Sequence, residues 1–144
     1  MLRFALPAAL ALAPALAAQR RPVGTIAVGD TVADTLRRRD LLLPRDSTYA
    51  REWQVVGRRD AVVTVDLVSD SFDAYLIVYG PGLDALQDDD SGGRCNSRIT
   101  LRFPESGAYH IAVTTAEKRQ TGPYLLSVTS GATAPSLARC RRNH

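Results

Sequence analysis

The residues best suited to chemistry are carboxylates gathered in two turns. Asp70 and Asp73 flank one, Asp70-Ser-Phe-Asp73, and Asp88, Asp89 and Asp90 crowd another, Asp88-Asp-Asp-Ser-Gly-Gly-Arg-Cys-Asn96. Calcium takes about six to eight hard oxygen ligands, and clustered loop carboxylates supply them. The second turn fails as an EF-hand, because its fifth position is Gly92 and its twelfth is Ile99 rather than glutamate. A calcium site would therefore draw Asp70, Asp73, Asp88, Asp89 and Asp90 from separate loops. The competing reading is ordinary turn aspartates that accept hydrogen bonds from their own backbone. Three adjacent aspartates repel one another, which favours a cation or the nearby Arg94 as compensation.

Other chemistries find less support. The two histidines, His110 and His144, have no CxxC or HxxxH partner for zinc. No G-x-S-x-G nucleophile elbow occurs, so a small hydrolase working through its acidic turns is the weakest reading. Tyr75 and Tyr79 alternate with Ala74 and Val78, and would form a binding surface if no second layer covers that side.

The elements that hold these residues begin after a leader. Residues 1–18 carry Arg3, then an apolar run ending in Ala15-Leu16-Ala17, the pattern of an export signal cleaved after Ala17 or Ala18. The run is too short for a mature membrane span, which needs about 20 apolar residues. A secreted or periplasmic chain follows, without a membrane span once the signal is removed. In an oxidising compartment, Cys95 and Cys140 suit a disulfide better than free thiols or a metal pair. Such a bridge would close a loop worth roughly 4 kcal/mol in the chain-entropy model. The net charge is +3, with the arginines scattered or terminal. Neither a basic helix nor an aromatic-interleaved basic patch is present, which argues against nucleic acid as a partner.

From the linker 19–23 onward, period-two alternation dominates. Thr25–Val28 is a short strand candidate, and strands are expected near Thr31–Leu36, Thr48–Val56, Ala61–Val68, Ala74–Tyr79, Asp84–Gln87, Ser97–Phe103, Gly107–Thr115 and Gly122–Thr129. Arg37–Ser47 reads as a loop, with Leu41, Leu42 and Leu43 available to plug one end of a sandwich. Gly57-Arg-Arg-Asp60 reads as a hairpin turn that pairs the strands on either side of it antiparallel. Trp53 reads as a core anchor. Seven or eight short strands and no helical stripe predict an all-β, antiparallel β-sandwich over 24–129, with a basic tail at 130–144 pinned by Cys140.

The order of these motifs resembles the bacterial pre-peptidase C-terminal domain family. The resemblance rests on Gly29-Asp-Thr-Val-Ala-Asp-Thr-Leu36, Tyr49 and Trp53, and the strand ending Val65-Asp66-Leu67. It continues through Ser69-Asp-Ser-Phe-Asp-Ala-Tyr-Leu76, Asp88-Asp-Asp-Ser-Gly-Gly93, Asn96-Ser-Arg-Ile99, Pro104-Glu-Ser-Gly-Ala-Tyr-His-Ile-Ala-Val113 and Gly122-Pro-Tyr-Leu-Leu-Ser-Val128. It implies a jelly-roll-like sandwich that is not catalytic and is usually appended to secreted hydrolases. Some relatives, such as collagen-binding domains, bind calcium and an extracellular polymer. The expected function is an exported, non-catalytic binding or accessory module for an extracellular polymer, an envelope component or a secreted protein. The alternative is a structural or chaperone-like partner of a separately encoded secreted hydrolase.

Overall fold

Apolar, β-branched and aromatic side chains recur at every second position through most of the chain, and each such run is a strand. The computed structural model describes residues 21–140; the expected leader, and the tail beyond Cys140 with His144, lie outside the described residues. Ten strands follow one another: β1 (Gly24–Thr25), β2 (Thr31–Leu36), β3 (Leu41–Leu43), β4 (Thr48–Gly57), β5 (Val62–Val68), β6 (Ala74–Gly80), β7 (Leu83–Asp88), β8 (Ser97–Arg102), β9 (Gly107–Thr115) and β10 (Gly122–Ser130). One sheet has the order β1-β4-β9-β6-β7, with β3 also on β4, and the other has the order β2-β10-β5-β8. Pairing is antiparallel except that β1 runs parallel to β4. The fold is the expected all-β sandwich; β1 is a two-residue strand where Thr25–Val28 is the candidate, and β3 lies in the segment 37–47 that reads as a loop.

The two sheets meet on their alternating apolar faces. Val55, Leu76, Val78, Ile111 and Val113 from the six-stranded sheet pack against Leu36, Val65, Leu67, Ile99, Leu126 and Val128 from the four-stranded sheet. Phe72, Phe103 and Tyr109 close the ends of this core and are almost fully buried. Burying a large apolar side chain is worth about 1.5–3 kcal/mol, so this layer supplies the main driving force.

Two expectations are corrected. Strands β4 and β5 do not pair: β4 lies between β9 and the short strands β1 and β3, whereas β5 lies between β10 and β8. The connection through Asp60 arches from one sheet to the other, with the Asp60 N–H donating to the Phe103 carbonyl at 2.8 Å. Gly57 sits against the Phe103 ring, where a Cβ would come within 2.5 Å, so the crossing needs glycine. The leucines of β3 do not plug the sandwich. They pair with Thr48, Tyr49 and Ala50 at the sheet edge, and Leu41 and Leu42 stay exposed because β4 already has its inner face covered.

The segment after β10 is tied down along its length. Thr133 donates its N–H to Thr64 Oγ1, the Thr100 hydroxyl donates to Thr133 O, and Arg98 donates to Ala134 O. Ser136 N–H then reaches Ser91 O, and Arg94 N–H reaches Ala138 O. Cys140 is joined to Cys95, Cα to Cα 4.4 Å.

Candidate functional site

The outer face of the six-stranded sheet is not covered by the second sheet. Cross-strand register aligns Glu52, Ala112, Ile77 and Gln87 in one row, and Gln54, His110 and Tyr79 in the next. Ala50 and Ala112 are short, so the sheet is scooped out beneath its taller neighbours. The result is a trough made of two adjoining hollows. One, of 540 Å³, is lined mainly by apolar surface from Val23, Leu41, Leu43, Ala50, Ile77 and Ala112, with Arg21 and Arg39 at its lip. The other, of 710 Å³, is more polar and includes Tyr75, Gln87, Thr114, Arg45, Asp46 and Lys118. Leu43 and Ile77 line both. Tyr79 borders the first and Tyr75 the second. Four residues of strand separate them, about 13 Å at the usual rise.

The polar groups on this face are largely committed to one another. Tyr79 donates its hydroxyl to Glu52 Oε2 at 2.7 Å, and His110 Nδ1 lies 2.7 Å from Glu52 Oε1. The Tyr79 and His110 rings stack at 4.9 Å. Tyr75 donates to Gln87 Oε1 at 2.6 Å, and burial, followed by the charges of Asp89, Asp46 and Asp88, raises its phenol above the ordinary value. Among the described residues, no serine or cysteine lines either hollow. The expected His110 is thus an outward-facing strand residue, held by a carboxylate and an aromatic ring.

A second polar cluster lies between the sheets, and the sequence reading did not foresee it. Arg51 projects from β4 toward the other sheet, where Nε meets Asp34 at 2.8 Å and Nη1 meets Asp40 at 2.7 Å. Asp34 also accepts the Tyr124 hydroxyl at 3.2 Å, and Tyr124 accepts the Trp53 indole N–H at 3.0 Å. Burial works against the Arg51 charge, but Asp40 and then Asp34 outweigh it and leave the guanidinium above its usual value. Burial is the main force pushing the Tyr124 phenol up to about 12, with Trp53's hydrogen bond opposing it. Trp53 is therefore a core anchor with a polar tip.

The five candidate aspartates separate in space. Ser69 Oγ accepts the N–H groups of Ser71 and Phe72, which sends Phe72 into the core and leaves Asp70 outside on an exposed turn. Asp88 is occupied by its own turn, accepting Ser91 N–H and hydroxyl and Arg98 N–H. Asp73, Asp89 and Asp90 converge, with carboxylate oxygens within 4.8 Å of one another. Burial first, then hydrogen bonding and charge from Asp73 and next from Asp90, push the Asp89 carboxyl up to about 7. Arg94 donates its N–H to the tail and has no ion pair among the described residues. The disulfide abuts this cluster, Cys140 Sγ lying 3.8 Å from Asp73 Oδ2. The donor set is hard oxygen and fits calcium better than a softer metal.

No protein-family model and no curated protein sequence matches the chain. Among solved structures, it is similar to the pre-peptidase C-terminal domain of a collagenase from Bacillus anthracis, with TM-score 0.56 and 13% identity over 76% of this chain and 97% of that one. It is also similar to PliG from Aeromonas hydrophila, a periplasmic lysozyme inhibitor of g-type lysozyme, with TM-score 0.53 and 18% identity over 75% and 96%. PliG from Salmonella Typhimurium gives TM-score 0.50 and 15% identity over 75% and 98%. The chain shares the fold of the pre-peptidase C-terminal domain, the family that its residue pattern resembles.

Proposed function

We propose that the chain is an exported, non-catalytic binding module that holds its partner in the trough on the outer face of the six-stranded sheet. The observation that carries this reading is the trough itself: a concave face floored by Ala50, Ala112 and Ile77 and left open on the outer side of the six-stranded sheet. Binding sites are characteristically concave and mostly apolar, with a few placed polar groups. Export is supported by the leader-like first residues and by the Cys95–Cys140 bridge. The partner is an extracellular polymer, an envelope component or a secreted protein. Two of the three similar structures are named as inhibitors of a lysozyme, which supports a protein partner and keeps a second reading in play, that of a structural or chaperone-like companion to a secreted hydrolase. Calcium belongs to this proposal as a ligand of Asp73, Asp89 and Asp90, where it would offset crowded negative charge and brace the turn.

The test is binding of the mature chain to collagen fibrils, purified peptidoglycan and g-type lysozyme. Ile77→Arg fills the junction of the two hollows, and Tyr75→Ala removes one wall. Binding lost in both variants, with unchanged thermal unfolding, supports the trough. Binding retained in both overturns it.

A further inference from the structure

The trough is electrically lopsided, and its asymmetry identifies an occupant. At the Tyr79 end the acidic groups are already taken: Asp40 by Arg51, and Glu52 by His110 and Tyr79. Arg21 and Arg39 at the same lip are exposed and have no ion pair among the described residues. At the Tyr75 end Arg45 and Lys118 face Asp46, with the carboxylates of Asp88 and Asp89 close enough to act on Tyr75. The arginines that are scattered in sequence thus leave one end of the trough with uncompensated positive charge beside its most apolar hollow.

Resting on the trough reading above, we propose that the occupant is an extended polypeptide segment. It seats an apolar side chain over Ala50, Ala112 and Ile77 and presents a carboxylate to Arg21 and Arg39. Three observations favour polypeptide over polysaccharide. The floor is aliphatic, and the Tyr79 ring at its edge is already stacked on His110. The hydroxyls of Tyr75 and Tyr79, which could hydrogen-bond a sugar, are held by Gln87 and Glu52. The Tyr75–Tyr79 span of about 13 Å matches some four residues of extended chain. Guanidinium groups also suit a carboxylate, which they can engage through two parallel hydrogen bonds.

The experiment is an amide-shift titration of the mature chain with an end-capped hexapeptide alternating glutamate and leucine. Its lysine–leucine counterpart and polygalacturonate serve as competing probes. The proposal expects the acidic peptide to shift Ile77, Ala112 and their neighbours, with affinity falling as salt rises. Arg39→Glu together with Arg21→Glu should weaken that binding by about tenfold, since each exposed ion pair is worth up to roughly a factor of five. Equal binding of the lysine peptide, or no loss in the double variant, overturns the acidic preference. Absence of peptide binding at millimolar concentration also overturns the proposal. Polygalacturonate binding that Ile77→Arg abolishes overturns the polypeptide but leaves the trough as the binding face. If bound probes shift residues elsewhere and Ile77→Arg changes nothing, the trough reading itself fails. Thermal unfolding of each variant separates these outcomes from misfolding.

Discussion

The Arg51 cluster and the acidic turn both gather ionised groups at the margin of the core, and they resolve that burden in opposite ways. Around Arg51, one cation meets two carboxylates, and Tyr124 and Trp53 supply the remaining hydrogen bonds. The cluster ties β2 to β4 and β10 across the sandwich. Around Asp89, carboxylates meet carboxylates, and one of them titrates near 7 rather than in the ordinary acid range. A closed network is a fastener, whereas crowded like charge makes its members hold protons more tightly. The first cluster is closed by its own hydrogen bonds, and the second brings three carboxylates to one point.

The largest expected effect breaks the fastener. Arg51→Met keeps much of the side-chain volume but leaves Asp40 without its counter-charge and Asp34 with only Arg37 at 3.8 Å, and should cost about 3 kcal/mol. Denaturant unfolding monitored through Trp53 measures this, and a loss below about 1 kcal/mol would show that the network contributes little. The next prediction sharpens the other side. Calcium at about 100 times its Kd should raise stability by about 2.7 kcal/mol, several degrees in Tm. Asp89→Asn with Asp90→Asn should abolish that gain, while Asp70→Asn should leave it intact because the exposed Asp70 lies outside the group formed by Asp73, Asp89 and Asp90. Thermal unfolding with EDTA and then with calcium decides the matter.

The smallest effect is in pH. Burial and its carboxylate neighbours raise the Asp89 carboxyl from the ordinary 3.8 to about 7 in the folded chain, so the native state holds a proton that the unfolded state has released. Without a divalent cation, stability should therefore fall as pH rises between about 4 and 7 and then level off, contrary to the usual trend for a paired carboxylate. The decline is modest because Asp89 sits on a half-buried turn, where solvent screens its neighbours' charges. Asp89→Asn should remove it. A flat stability profile in the parent chain from pH 4 to 7 would contradict the crowding described for this turn.

Much of this architecture is legible in the sequence, and the limits are instructive. Period-two alternation locates β4, β5, β8 and β9 and says which side of each strand is buried, as with Ile99 and Leu101 against Arg98 and Thr100. It does not say which strands are neighbours. Four residues between β4 and β5 suit a hairpin, yet they also suffice to arch between sheets about 10 Å apart. The deciding contact, Gly57 against Phe103, lies 46 positions away along the chain. The Arg51 network escapes sequence reading for the same reason, since its links join residues 11, 17 and 71 positions apart. An arginine alternating with Tyr49 and Trp53 on an inward face was the available sign. The carboxylates were visible as candidates, but local hydrogen bonding sorted them: Ser69 turned Asp70 outward, and Ser91 and Arg98 engaged Asp88. The trough depends on the smallness of Ala50 and Ala112, which no motif marks.

Among the described residues, strand β2 is hydrogen-bonded to β10 alone, so an early strand of the four-stranded sheet waits for the last. Synthesis proceeds from the amino terminus, and until residues 122–130 have emerged this strand has both edges open. Partners this distant in sequence make folding slow, and unpaired strand edges invite association with other chains meanwhile. The consequence is a kinetic vulnerability built into the topology: shortening the chain before Gly122 removes the sole mate of β2 along with its own last strand. A protein of this design is best served by reaching its destination unfolded and folding only when whole.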